Sequence, residues 1–200
     1  KSVGASPVQA LEISKAAPTY WGKQPILVAP AYVGATLILL SILGFLLVKD
    51  YHRWWLILSF ILSLLLSYGK NLPLLTNFFI DYIPLYNKFR AVSSIQVILE
   101  MCIPVLAALG LSKLLKGDFQ KEKTVNALKI VTISLSSVCV GLISFRNLLF
   151  DFVGPYDDYN EIILEALKKD RAELLVSDSL RSLILIQILS GFLFLLIKKK

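Results

Sequence analysis

The residues best suited to bind an anion are Lys70, Lys88 and Arg90, which lie in polar stretches next to apolar runs. Arginine presents a fork of N–H donors that matches phosphate oxygens, and lysine adds a compact positive charge. At the depth of lipid headgroups, these three cations predict a binding site for a lipid phosphate or pyrophosphate. The alternative is interfacial anchoring, in which long basic side chains reach ordinary headgroups without a specific ligand.

Aromatic side chains next to polar residues are a second group with a chemical use. Tyr20 and Trp21 precede the polar residues 22–24, and Tyr86 precedes Asn87. Aromatic faces stack on sugar rings while neighbouring polar groups hydrogen-bond to the hydroxyls. We therefore predict that Tyr20, Trp21 and Tyr86 contact a sugar or an acceptor. Tyr and Trp are also enriched at membrane interfaces in general, and this is the alternative explanation.

Glu100 is an ionisable residue inside the apolar run of residues 91–111. It lies roughly nine residues, or about 14 Å, from the outer end of that run, which is close to the middle of a bilayer. Pro104 follows four residues later and cannot donate a hydrogen bond to the carbonyl of Glu100. Such a residue is a functional candidate, for example on a proton or ion path. The alternative is a neutral carboxyl group that hydrogen-bonds to a neighbouring helix.

The remaining polar residues give little support for a metal site or for a hydrolase active site. Asp157 and Asp158 could bind a divalent cation, but two adjacent acids in a turn are usually solvated or capping groups. His52 is the single histidine, which argues against a zinc site or a Ser/His/Asp triad within this chain. Cys102 and Cys139 lie in apolar runs, where we expect small buried side chains. We predict no metal site and no cofactor, and the sequence identifies no catalytic residue.

The elements that carry these residues are those of a membrane protein. Of the 200 residues, 56% are hydrophobic and the mean hydropathy is +0.69, whereas soluble domains average about 45–50% apolar residues. We predict an all-α integral membrane fold with about five transmembrane helices, in which residues 1–200 form a single membrane region. The chain begins at Lys1 without Met and without a signal-peptide pattern. We therefore expect it to be the C-terminal part of a larger polytopic protein.

Five apolar runs have the length and the flanking residues of spanning helices. Trp54 and Trp55 mark one end of the second run and Tyr68 marks the other, as interfacial aromatics do. The second run is short, so its ends must borrow flanking residues or thin the bilayer. The predicted spans are residues 32–48, 54–68, 91–111, 126–145 and 183–197.

Alternate crossings sort the loops onto two sides, and the charges of these loops differ. One side carries nine Lys or Arg residues against three acids, and by the positive-inside rule this side is cytoplasmic. The net charge of +7 is therefore largely a topology signal, and we predict no nucleic-acid partner. The charged residues on the predicted cytoplasmic side are Lys49, Asp50, Arg53, Lys113, Lys116, Asp118, Lys121, Glu122, Lys123, Lys198, Lys199 and Lys200.

The long polar segments all fall on the predicted extracytoplasmic side. Residues 71–90 are apolar but are interrupted by Pro73, Asp81 and Pro84, which predicts a pair of interfacial or re-entrant helices. Residues 151–182 contain an amphipathic pattern that suits a helix lying on the membrane surface. The cationic and aromatic candidates are therefore predicted on the outer face.

Several segments together resemble one family of membrane proteins. The sequence YWGKQP precedes the first span, SYGKN follows the second, and YNKFRAVSS enters the third. AYVG begins the first span, and LKKDRAELLVSDSLRS precedes the last. These segments resemble the C-terminal part of the large YfhO-like membrane proteins of bacteria, and the resemblance covers nearly the whole chain. They occupy residues 20–25, 31–34, 67–71, 86–94 and 167–182.

The YfhO-like family resembles the GT-C superfamily of polytopic glycosyltransferases, which use a polyprenyl-phosphate-linked sugar on the outer face of the cytoplasmic membrane. The resemblance implies a multi-pass protein of a bacterial inner membrane. Its implied partners are membrane lipid, a polyprenyl-phosphate sugar and the N-terminal remainder of the same protein. The catalytic acids of GT-C enzymes lie in the first outer loop, so we expect them outside this chain. Two alternatives stay open: a transporter or flippase region built around Glu100, and a non-catalytic membrane scaffold.

Overall fold

The structure is a computed structural model that describes residues 20–22, 32–88, 92–155 and 157–200, without the side chains of residues 70, 87, 92 and 93. All regular secondary structure in these residues is helical, which confirms the predicted all-α fold. The helices are α1 (Ala35–Leu47), α2 (His52–Ser67), α3 (Pro73–Tyr82), α4 (Gln96–Lys116), α5 (Lys121–Ser144) and α6 (Glu161–Lys199). Shorter helical turns occur at Gly69–Asn71, Tyr86–Lys88, Val92–Ile95 and Arg146–Leu149.

Among the described residues, three helices, α4, α5 and α6, are long and apolar enough to cross a membrane. Helix α1 has 13 residues and α2 has 16, fewer than the about 20 residues of a typical spanning helix. Each of the five predicted runs nevertheless overlaps a helix of the structure. The count of five spans and the sidedness of the loops stay predictions.

The last helix joins residues 161–182, which were predicted to lie on the membrane surface, to the fifth predicted span. Helix α6 is continuous over 39 residues, from Glu161 to Lys199. No glycine or proline occurs from Glu161 to Ser190, and the many Leu, Glu, Lys and Arg residues favour helix throughout. Residues 161–182 are rich in charge and residues 183–197 carry none. This change of polarity alters the surroundings of the helix but does not interrupt its backbone hydrogen bonds.

Over residues 71–88, the structure has one α-helix and one short helical turn, where the sequence predicted a pair of helices over residues 71–90. Pro73 is the first residue of α3, a position at which its missing N–H costs no helical hydrogen bond. The helix ends two residues before Pro84, and Leu85 then adopts a left-handed conformation with φ of 70°. The next described residues form the short helical turn Tyr86–Lys88.

The described helices contribute to two compact units. The first unit comprises Lys1–Tyr32 and Ser134–Ile184, and the second comprises Val33–Ile133 and Leu185–Lys200. The boundaries fall inside α5 and inside α6, so each of these two helices has residues in both units.

In the second unit, α4 packs against α1 and α2, and α1 and α4 meet at two glycines. A Cβ atom added to Gly110 would lie 2.5 Å from the Cα atom of Gly44, and one added to Gly44 would overlap the carbonyl oxygen of Leu106. Small residues at a crossing let two helix backbones approach closely. Leu39 and Leu43 are buried beside Gly44 on the same helix. This contact therefore requires glycine at both positions.

Lysine side chains bind the carboxyl ends of helices in the second unit. Lys200 Nζ donates to the carbonyl oxygen of Leu115 at 2.6 Å, near the end of α4. Lys121 Nζ donates to the carbonyl oxygen of Lys198 at 2.7 Å, near the end of α6. Positive charge at a helix carboxyl end is stabilising because the helix dipole is negative there.

Candidate functional site

The charged part of α6 carries an arginine that is completely buried in the first unit. The Arg171 side chain is 0% exposed, and the Asp157 side chain paired with it is 3% exposed. Arg171 Nη1 donates to Asp157 Oδ2 at 2.5 Å, and Nη2 donates to Asp157 Oδ1 at 3.0 Å. Two parallel N–H···O bonds make this a bidentate ion pair, a strong and geometrically specific arrangement. The pair ties the loop before α6 to the helix.

The same guanidinium also binds main-chain oxygens. It donates to the carbonyl oxygen of Phe152 at 2.7 Å and to that of Tyr20 at 3.5 Å. Phe152 has φ of 56°, a left-handed conformation that costs a residue with a Cβ atom about 1–2 kcal/mol. The Phe152 ring packs against the Trp21 ring with a centroid distance of 5.4 Å. Arg171 therefore holds a strained loop and residues 20–22 in one arrangement.

The Asp157 carboxylate is bound from two directions. Besides the Arg171 bonds, its Oδ2 accepts the backbone N–H of Gly154 at 2.6 Å. The hydrogen bonds from Arg171 lower the pKa of Asp157 below its ordinary value of 3.8; burial opposes this shift, and the Gly154 N–H adds to it. The carboxylate is therefore charged at neutral pH, and it neutralises the buried guanidinium.

A cavity of about 650 Å³ lies beside this loop and includes Trp21 in its lining. It combines the indole ring with the polar side chains of Asn147 and Asp151. Binding sites for small molecules commonly place a few polar groups among aromatic and apolar side chains. This mixture suits a ligand with an apolar face and hydroxyl groups, such as a sugar ring. The lining residues are Trp21, Gly22, Asn147, Leu148, Leu149, Phe150, Asp151, Val153, Gly154 and Pro155.

A second cavity, of about 850 Å³, forms a groove between the loop and α6 within the first unit. We call it the cationic groove because three basic residues line it: Arg146, Lys168 and Lys169. Asp151 and Glu173 line it as well, so the lining carries three positive and two negative charges. Its other residues are Asn147, Phe150, Phe152, Ala172, Val176, Ser177 and Leu180.

Tyr20 and Trp21 are the predicted site residues that lie in this part of the structure. Trp21 is one of the residues that line the smaller cavity, and Tyr20 contributes a main-chain oxygen to Arg171. The structure therefore brings Trp21 next to a cavity that the sequence did not indicate. Contact of either residue with a sugar or an acceptor stays a prediction.

The other predicted aromatic and cationic residues belong to the second unit. Tyr86 and Lys88 share one helical turn, in which Lys88 is exposed. The Tyr86 hydroxyl is buried without a hydrogen-bond partner in the part of the chain that the structure describes, and burial raises the pKa of Tyr86. Lys70 lies in the turn Gly69–Asn71, but the structure does not describe its side chain. Arg90 lies outside the described residues. The predicted phosphate site formed by these cations stays a prediction.

Glu100 lies on α4, one turn before Pro104, and its side chain is exposed on the second unit. Its helical neighbours Val97 and Met101 are exposed as well, at 65% and 66%. The Glu100 carboxyl group forms no ion pair with any residue that the structure describes. The described residues therefore leave this carboxyl group on an apolar surface of α4.

Acidic, histidine and cysteine side chains do not assemble into a metal site among the described residues, where no group of three such ligands occurs. Asp157 is buried in its ion pair, which corrects the expectation of a solvated or capping acid, whereas Asp158 is exposed. His52 is exposed at the start of α2. Cys102 and Cys139 are both buried, and this confirms the sequence prediction.

Arg171 and the cations of the groove were not identified from the sequence. One signal for Arg171 is present, because Ile163, Leu167 and Arg171 recur at intervals of four residues. This spacing places the arginine on the apolar face of a helix, where Leu167 is also buried. A charge on a buried face needs a partner, and Asp157 in the preceding loop provides it.

Comparisons with known protein families, with curated proteins and with solved structures found no match to this chain.

Proposed function

We propose that this chain is the membrane region of a GT-C-type glycosyltransferase that uses a polyprenyl-phosphate-linked sugar on the extracytoplasmic face of a bacterial inner membrane. Two considerations support the proposal: the resemblance to YfhO-like proteins and the predicted topology. In that topology, residues 20–22 and 146–182 lie on the side where the donor presents its sugar. The N-terminal remainder of the protein would supply the catalytic acids from its first outer loop.

The observation that carries the proposal is the cavity of about 650 Å³ lined by Trp21, Asn147 and Asp151. An indole ring beside carboxylate and amide groups can stack on a sugar ring and accept hydrogen bonds from its hydroxyls. The cavity occurs in a segment that the topology assigns to the outer face, where the sugar of a lipid carrier is found.

The buried ion pair fixes the positions of residues on one side of this cavity. Arg171 binds Asp157 and the Phe152 carbonyl, and the Phe152 ring contacts Trp21. A site whose residues are held in place before the ligand arrives loses less conformational entropy on binding. In this proposal, Arg171 and Asp157 are positioning residues that hold the Trp21 side of the sugar site.

The proposal is tested by sugar binding and sugar transfer. The purified full-length protein, in lipid nanodiscs, is given a polyprenyl-phosphate hexose labelled in the sugar, together with a glycolipid extract from its own membrane as acceptor. We expect binding above the level of empty nanodiscs and transfer of label to the extract. Trp21→Ala should weaken donor binding about 3- to 10-fold, the usual range for an aromatic stack, and Trp21→Phe should retain most of it.

Trp55→Ala is the matched control, because Trp55 is 67% exposed and lies at the start of α2, on the predicted cytoplasmic side. This variant loses an indole ring without touching the cavity, so its donor binding should equal that of the parent protein. The proposal is overturned when the labelled donor fails to bind, or when the Trp21→Ala and Trp55→Ala proteins bind it equally well.

Transport is the second candidate function, and the exposed carboxyl group of Glu100 on α4 favours it. An ionisable group at this depth is expensive unless it serves a proton or ion path. The test is the decay of an imposed pH gradient in proteoliposomes, followed with an entrapped dye. A proton-conducting path predicts a leak that Glu100→Gln abolishes. Equal gradients in the parent protein, the variant and empty liposomes would eliminate a proton path and leave the glycosyltransferase or the scaffold.

A further inference from the structure

We infer that the cationic groove binds an oligosaccharide and that the groove and the smaller cavity form one extended carbohydrate site. The inference rests on the proposed function, in which the smaller cavity holds the donor sugar, and it assigns the groove to the acceptor glycan. It is drawn from three features of the groove: the lining that it shares with the smaller cavity, its mixture of hydrogen-bond donors and acceptors, and its distance from the apolar part of α6.

The two cavities share part of the loop that follows α5. Asn147, Phe150 and Asp151 line both the cavity of about 650 Å³ and the groove of about 850 Å³. All the described lining residues belong to the first unit. A ligand in the cavity and a ligand in the groove therefore lie against the same three residues. Such adjoining sites suit a transfer reaction, which brings the reacting atoms of two substrates to about 3–3.5 Å from each other.

The charged residues of the groove suit sugar hydroxyls better than an anion. Besides its three cations, the groove contains Asp151 and Glu173, so an anion would be attracted by some of these side chains and repelled by others. None of the five charged residues forms an ion pair with any residue that the structure describes. A hydroxyl group both donates and accepts hydrogen bonds. It can therefore donate to a carboxylate of the groove and accept from a lysine or an arginine.

One wall of the groove is a polar stripe on α6. Lys169, Glu173 and Ser177 line the groove at intervals of four residues, which places them on one face of the helix, about 6 Å apart along its axis. All three residues are exposed. The aromatic residue Phe150 lines the groove from the loop. A row of polar groups together with an aromatic ring suits an extended sugar chain, which offers both hydroxyl groups and apolar ring faces.

The groove extends away from the apolar residues 183–197. Lys168 lies 15 residues before this stretch, which corresponds to about 22 Å along α6. With residues 183–197 in the hydrocarbon, this end of the groove lies beyond a headgroup layer of about 5–7 Å. A lipid headgroup does not extend so far, whereas a glycan that projects from the membrane does. The position therefore favours the sugar part of an acceptor over its lipid part.

The groove takes part in the transfer by holding the acceptor beside the donor. A hydroxyl oxygen of the acceptor forms a bond to the anomeric carbon of the donor sugar, and the bond between that carbon and the phosphate oxygen breaks. Polyprenyl phosphate leaves with the electron pair of this bond. The hydroxyl proton passes to a carboxylate of the N-terminal remainder, which is where the proposed function places the catalytic acids. The groove residues are therefore binding residues.

The binding test uses the full chain in lipid nanodiscs and requires no donor. The probe is the oligosaccharide fraction of the glycolipid extract, released with mild acid and labelled with a fluorescent dye, and fluorescence polarisation measures its affinity. The double variant Lys169→Ala and Glu173→Ala removes one donor and one acceptor from exposed positions of the groove without changing the net charge. We expect its affinity for the probe to fall about 10-fold, because two hydrogen bonds to charged groups are lost.

The control is a second double variant with unchanged net charge, Asp178→Ala and Arg181→Ala. Both residues are exposed on α6 and neither lines the groove, so this variant should bind the probe as the parent protein does. Equal affinities in the parent protein and the two double variants would overturn the inference. Displacement of the probe by an equal concentration of inorganic phosphate would also overturn it, because the groove would then be a site for anions.

The labelled donor distinguishes this inference from the proposed function. Asn147→Ala alters the shared lining and should weaken binding of both the donor and the oligosaccharide, by about 2- to 10-fold each. An effect on only one of the two ligands would overturn the extended site. Binding of the oligosaccharide by a protein that does not bind the donor would refute the proposed function and would support the groove as a carbohydrate site. Binding of the donor alone would have the opposite meaning.

Discussion

Arg171 and Asp157 are joined by hydrogen bonds of 2.5 and 3.0 Å, although 14 residues of the chain separate them. The intervening residues 158–170 comprise the end of the loop and the first turns of α6. The pair therefore closes this part of the chain on itself, and it also reaches Tyr20 through a main-chain hydrogen bond. Since both side chains are nearly fully buried, neither charge can be released to water without unfolding the loop.

Removal of one partner of this ion pair should be strongly destabilising. Asp157→Ala leaves Arg171 as a buried and unpaired charge, and we expect the free energy of unfolding to fall by about 3–5 kcal/mol. Unfolding by SDS in mixed micelles, followed by tryptophan fluorescence, measures this change. Asp158→Ala is the control, because Asp158 is an exposed neighbour whose loss should change stability by less than about 0.5 kcal/mol. A similar effect of the two substitutions would contradict the structural role of the pair.

The same pair predicts a loss of stability in acid. The pKa of Asp157 is lowered below its ordinary value of 3.8 in the folded protein, so the folded state favours the charged carboxylate. This contribution is fully present above the pKa of the unfolded chain, at about pH 4, and disappears as the pH falls through the lower folded value. Thermal unfolding between pH 7 and pH 2.5 measures it. Asp157→Asn should remove this component of the pH dependence, whereas Asp158→Asn should retain it.

The contact between α1 and α4 should not tolerate even one methyl group added to either glycine. Gly44→Ala or Gly110→Ala places a Cβ atom against the backbone of the other helix, and we expect a loss of about 1–3 kcal/mol in the free energy of unfolding. Gly141→Ala and Gly191→Ala are matched controls, since an added Cβ atom meets no heavy atom within 4 Å at either position. These two should be neutral or stabilising by up to about 1 kcal/mol, because alanine favours helix. Equal melting temperatures in all four variants would contradict the close approach.

The predicted sidedness can be measured directly with single cysteines. Cys102→Ala and Cys139→Ala provide the background, into which Lys88→Cys or Lys116→Cys is introduced. A membrane-impermeant maleimide applied to intact cells should label position 88, and position 116 should react only after the membrane is opened. Labelling of position 88 from the cytoplasm alone would reverse the topology. The sugar proposal, which requires the outer face, would then lose its basis.

The helices were largely predictable because apolar runs of this length must satisfy their backbone hydrogen bonds internally. The predicted span of residues 126–145 ends one residue beyond the last residue of α5, Ser144. The third run, residues 91–111, is displaced from α4 because the chain first forms the turn Val92–Ile95 and because Gly117, with φ of 76°, sets the later end.

The two cavities were less predictable because they depend on contacts distant in the sequence. No local pattern shows which acid will meet Arg171, since the choice of Asp157 over its neighbour Asp158 depends on the path of the loop. The Phe152 carbonyl oxygen reaches Arg171 in a backbone conformation with φ of 56°. The presence of an aromatic residue does not predict this conformation. Periodicity could have shown that Arg171 is buried, but the three-dimensional path of the loop was needed to identify its partner.

The uninterrupted backbone of α6 has a consequence for how its charged residues become ordered. An isolated helix in water must first form a costly nucleus, and only then does each added residue extend it favourably. In α6, the apolar residues 183–197 are continuous with residues 161–182. In a bilayer, the apolar residues would form helix first and would supply that nucleus to the charged residues. Helical order would then propagate from the carboxyl end of α6 towards its amino end, against the direction of synthesis.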